Sequence, residues 1–129
     1  RVNDSEIEQK YTAVPEIPEN PNLAVFRNNE ILCMQALGSY EWLLEEWMEE
    51  YAPEEPGGFD PRYVHACHML PPVKYLLDCL TVATFEERYV MVANLMEDDT
   101  IPKLRKFAGK ELGKKYERIA KRESESERS

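Results

Sequence analysis

Six residues, Cys33, Leu37, Tyr40, Leu44, Trp47 and Tyr51, recur at intervals of four, three, four, three and four. Only an α-helix returns side chains to one face at that period, so residues 23–51 must form an amphipathic helix of several turns. Leu23 and Phe26 continue the phase upstream, and Glu30 interrupts it. A second apolar set, Leu32, Ala36, Trp42 and Leu43, lies off this stripe. It either packs on another helix of the domain or leaves Trp42 as an exposed anchor for a partner. Glu41, Glu45, Glu46, Glu49 and Glu50 fill the remaining face. Like charges three and four apart repel, and acids at a helix C-terminus oppose its dipole.

The rest of the chain also reads as helix. Residues 52–60 contain Pro53, Pro56, Gly57 and Gly58 and form a turn. Asp60 before Pro61 is an N-cap followed by proline at the first helical position. Pro71 and Pro72 predict a break, with a short helix over 61–69 and a new one starting at Pro72. Within 73–83 only Lys74, Asp78 and Thr81 are polar, so this segment is expected to be the most buried helix. Thr84 and Glu87 form a capping box for a helix with Phe85, Tyr89, Val92 and Met96 on one face. A terminal helix over about 102–122 places Leu104, Ala108, Leu112, Tyr116 and Ile119 on one side. Gly109 and Gly113, four apart within it, imply close approach to another helix or a helix that orders only against a partner.

The expected fold is all-α: four to five helices around one core in a single domain over 23–122. An extended acidic, proline-rich arm precedes it at 1–22, either pinned onto the domain by Val14, Ile17 and Leu23 or disordered as an acidic leader. A disordered low-complexity tail follows at 123–129. Leu37, Leu44, Leu76, Leu80, Val92 and Met96 are expected in the core. No apolar run reaches the ~18–20 residues of a membrane span, and no leader pattern of basic start, apolar run and small-residue cleavage site is visible. Three cysteines make an odd count, unlike a disulfide scaffold, so an intracellular reducing compartment is expected.

Charge separates along the chain. Residues 1–60 carry 14 acids and 3 bases, whereas residues 100–122 carry 9 bases and 2 acids. With a net charge of −9, the molecule as a whole disfavours nucleic acid, while the terminal helix does not. That helix has three readings: it neutralises the acidic helix internally, docks an acidic protein, or binds the phosphate backbone of nucleic acid.

Catalytic patterns are sparse. His65 and His68 share a helical face, but Cys67 points elsewhere and no Cys-x-x-Cys accompanies them. Packing or surface roles suit them better than a metal. Gly57-Gly58 lacks the Lys-Ser/Thr of a phosphate loop. The carboxylates lie on exposed faces, without the burial that tunes a general acid. The expectation is a non-enzymatic interaction module without a cofactor: an adaptor, assembly factor or accessory subunit. Its partner-binding candidates are Glu41, Trp42, Glu45 and Glu49 on the acidic face, and Lys103, Lys106, Lys110, Lys114 and Arg118 on the basic helix.

Overall fold

A computed structural model describes residues 17–128, with side chains as far as Ser126. Among these residues the fold is all-α, with four helices and no strand: α1 (Leu23–Glu50), α2 (Pro61–Val82), α3 (Phe85–Met96) and α4 (Thr100–Arg128). Most of the expected arm, Val14 included, lies outside the described residues. Residues 17–22 are not helical. Ile17 is half-buried, but Leu23 is 57% exposed and pins nothing.

α1 is the hub. Members of both apolar sets are buried: Cys33, Leu37, Tyr40 and Leu44 from the first, Ala36 and Leu43 from the second, while Trp42 stays 47% exposed. A helix with two apolar faces has to be packed from two sides, and α2, α3 and α4 all pack on α1. α2 returns antiparallel along it, with Leu80 and Thr81 beside Met34 and Gln35. α4 runs in the same direction as α1, since Trp42 meets Tyr116, Glu46 meets Lys115 and Glu50 meets Arg118.

The break in α1's apolar phase has a structural reason. Half-buried Glu30 accepts a 2.8 Å bond from Arg88 Nε of α3, and the same guanidinium donates to the Ala83 carbonyl at 3.0 Å. One side chain thereby ties α1, the end of α2 and the start of α3. Beside it Phe26 packs edge-on against Phe85 at 5.1 Å and stacks on Tyr89 at 5.6 Å.

The caps form at the expected places. Asp60 Oδ1 accepts from the Arg62 amide at 2.9 Å, with Pro61 opening α2. Thr84 accepts from the Glu87 amide at 3.3 Å and donates its hydroxyl to the Glu87 carboxylate at 3.0 Å. The α1–α2 connection contains the turn Glu55-Pro56-Gly57-Gly58, closed by a 3.0 Å bond from the Gly58 amide to the Glu55 carbonyl. Proline at its second position and Gly57 at φ 81° in its third match a type II turn, which favours glycine there.

Three expectations need correction. Pro71 and Pro72 do not divide α2, which is continuous from Pro61 to Val82. The prolines deprive the Cys67 and His68 carbonyls of donors, but both residues are exposed, where solvent is available to satisfy such groups. Ala66, Val73 and Leu80, seven apart, hold the helix on α1 across the interruption. Second, the 73–83 segment is not the most buried. Tyr75 is 69% and Val82 83% exposed, because α2 lies on one side of the hub and covers one stripe only. Third, Gly109 and Gly113 mark no close helix approach, since a Cβ added at either meets nothing within 4 Å. In addition, α4 runs past the expected boundary at 122, continuing through the Ser/Glu/Arg segment to Arg128.

Leu37, Leu44, Leu80 and Val92 are buried, and Leu76 and Met96 are partly buried against them. All three cysteines are free, with Cys33 buried, Cys79 intermediate and Cys67 exposed. Burial, reinforced by the nearby Glu30 carboxylate, pushes the Cys33 thiol up to about 11. The folded protein is therefore expected to react at Cys67 and Cys79 with a thiol reagent at pH 8 and to spare Cys33 until it unfolds. Because the folded value is raised, Cys33's contribution to stability is full below its ordinary value and is lost as pH rises toward about 11. Cys33→Ala should flatten that alkaline decline; peptide mapping of the labelled protein and denaturation at pH 8 and 10.5 measure both effects.

Candidate functional site

The acidic face of α1 and the basic helix α4 meet. Glu46 pairs with Lys115, and Glu50 with Arg118 at 3.7 Å. Glu45 turns the other way, to Lys74 of α2 at 3.1 Å. The C-terminal half of α1 is thus an acidic wedge between two cationic neighbours, which relieves the repulsion along its own glutamate row. Exposed pairs of this kind each contribute about 0–1 kcal/mol. The Glu46–Lys115 pair, with only about a quarter of each side chain exposed, is better shielded.

Each candidate residue can now be placed. Glu41 is half-buried and Glu49 exposed, and neither has an ion-pair partner among the described residues. Trp42, 47% exposed, donates its indole N–H to Glu46 at 3.3 Å and lies 5.9 Å from the Tyr116 ring. Part of the surface expected to await a basic partner therefore already contacts the chain's own α4. Lys114 pairs locally with Glu111 at 3.4 Å, and Arg118 reaches Glu50. Lys103, Lys106 and Lys110 remain exposed, and no carboxylate among the described residues lies within ion-pair distance of them. With Lys114 they recur at three- and four-residue intervals, along roughly 16 Å of helix at 1.5 Å per residue. The buried residues Ile101, Ala108 and Leu112 occupy the opposite side of α4.

His65, Cys67 and His68 do not converge. All three residues are exposed, and of them only His65 is tied inward, its Nε2 sharing a 2.6 Å hydrogen bond with the Tyr40 hydroxyl. Among the described residues no group of three or more His, Cys, Asp or Glu is placed to hold a metal ion. The His65 ring belongs to an aromatic seam. Trp47 lies 6.1 Å from His65 and 6.1 Å from Phe107, and Tyr40 lies 6.3 Å from Phe107. This seam joins α1, α2 and α4. The Tyr40–His65 bond spans 25 residues and had no local signal in the sequence.

No helix among the described residues is long and apolar enough to cross a membrane. No protein-family model, curated protein or solved structure matches the chain.

Proposed function

We propose that this chain is a non-enzymatic helical interaction module, an adaptor, assembly factor or accessory subunit, that engages an acidic protein partner through the outward face of α4. One observation carries the reading. Among the cations of α4, Lys115 and Arg118 turn in to the acids of α1 and Lys114 pairs within the helix, while Lys103, Lys106 and Lys110 face away without a counter-charge among the described residues. A row of like charges left unpaired costs stability, and an anionic partner removes that cost. Internal neutralisation thus accounts for one side of the helix and leaves the other for a partner. The three free thiols suit action in a reducing intracellular compartment.

The test is binding of the whole chain to a fluorescein-labelled twelve-residue oligoglutamate at 50 and 200 mM salt, beside a twelve-nucleotide single-stranded RNA. Affinity for the peptide should fall with salt. The triple reversal Lys103→Glu, Lys106→Glu, Lys110→Glu should lower it about tenfold or more and leave the thermal melt nearly unchanged. Tighter, steeply salt-dependent binding of the RNA would instead support phosphate-backbone recognition by this helix. Equal affinity of wild type and triple variant would remove the face from consideration.

A further inference from the structure

Beside the lysine row lies a groove of about 450 Å³ in which α1, α3 and α4 all take part. Its floor is apolar: Leu32 from α1, Met96 from α3 and Ile101 from α4, with Gly109 leaving one wall low. Its rim on the α4 side is cationic, made by Arg105, Lys106 and Lys110. The acids of the 97–99 turn do not line it. Lys106 and Lys110 belong to both features, so the groove opens directly onto the row.

We infer that groove and row together form a docking site for an acidic polypeptide segment carrying a large apolar side chain. The inference rests on the reading that α4 engages an anionic protein. Charge complementarity selects an anion, because every charged residue lining the groove is a cation. The length of the row selects a chain of carboxylates over a single one, since one anionic head group reaches only one or two of Lys103, Lys106 and Lys110, which are spread over about 10 Å. The groove volume lies within the range that takes a bound organic group, which fits one or two large side chains of such a segment. The mode is an apolar anchor seated between helices with acids ranged along the neighbouring cations.

The test uses the full chain and two labelled twelve-residue peptides of glutamate, one interrupted by Leu-Phe and the other by Ala-Ala. Wild type should bind the Leu-Phe peptide about tenfold or more tightly than the Ala-Ala peptide, as expected for burial of a large apolar side chain. Gly109→Leu places a side chain in the groove without a clash at Cβ and replaces a poor helix former with a good one. It should erase the preference and leave Ala-Ala binding unchanged. Lys106→Glu with Lys110→Glu should weaken both peptides about tenfold or more. If circular dichroism shows that Gly109→Leu is unfolded, the peptide pair on wild type decides alone. Equal, lysine-dependent binding of both peptides would overturn the groove and leave the anionic-partner reading standing. Absence of binding by either peptide would overturn both. Oleate that binds more tightly than the Leu-Phe peptide and is blocked by Gly109→Leu would assign the groove to a fatty-acyl ligand and overturn the inference.

Discussion

Leu44→Ala is expected to lower the unfolding free energy by about 3–5 kcal/mol, the upper part of the range for emptying a buried leucine site. Leu44 has no exposed surface, and it lies on the helix that every other helix packs against. A hole there meets a hub that cannot collapse toward one neighbour without leaving another, so relaxation recovers little. Tyr75→Ala is the contrast. Its ring is 69% exposed on α2, and its removal should change stability by no more than about 0.5 kcal/mol. Urea denaturation of both variants separates them. A Leu44→Ala loss below about 1 kcal/mol would show that α1 is not the centre of the fold.

Tyr40 should be nearly as sensitive, for a different mixture of reasons. It is only 5% exposed, its ring lies 6.3 Å from that of Phe107, and its hydroxyl bonds to His65 at 2.6 Å. Tyr40→Ala removes both ring and hydrogen bond and should cost about 3–5 kcal/mol. Tyr40→Phe keeps the ring and should cost about 1 kcal/mol. A double-mutant cycle of Tyr40→Phe with His65→Ala should return a coupling of about 0.5–1.5 kcal/mol. Additive losses would show that the two groups act independently. Burial raises the Tyr40 phenol above its ordinary value. The folded chain therefore keeps this proton where the unfolded chain releases it. Stability from this source is full below about pH 10 and declines as pH rises through the raised value. Tyr40→Phe should remove that part of the alkaline loss.

What depends on neighbouring residues is legible in this sequence, and what depends on distant ones is not. The four-three spacing of Cys33 to Tyr51 marked α1 because periodicity is a property of one segment. Asp60-Pro61 and Thr84-Glu87 marked two helix starts because capping involves neighbours within three residues. Pro71-Pro72 misled for the complementary reason. A local rule said break, but three residues seven apart held the helix together against α1. The apolar run at 73–83 misled likewise, since burial depends on how many neighbours a helix has. The second apolar set at Ala36 and Leu43 was visible, and it was the signal that α1 is packed from two sides. In the site, the lysine row was legible as a face of α4. The partition of its charges was not, because it depends on which side of α4 meets Glu46 and Glu50. Glu30 showed as a flaw in the pattern, and its partner Arg88, 58 residues on, could not be read from it.

The hub arrangement also bears on how the molecule comes apart. α2 and α4 communicate mainly through α1, so neither holds the other in place. Each is therefore expected to be able to lift from α1 while the other stays seated, giving two local openings that fall short of global unfolding, which native-state hydrogen exchange would detect. The two differ in character. Releasing α2 separates the Glu45–Lys74 pair and exposes the stripe formed by Ala66, Val73 and Leu80. Releasing α4 separates the Glu46 and Glu50 pairs, so added salt should ease it more. A partner clamped across α4, α3 and α1 would close the second opening and leave the first untouched.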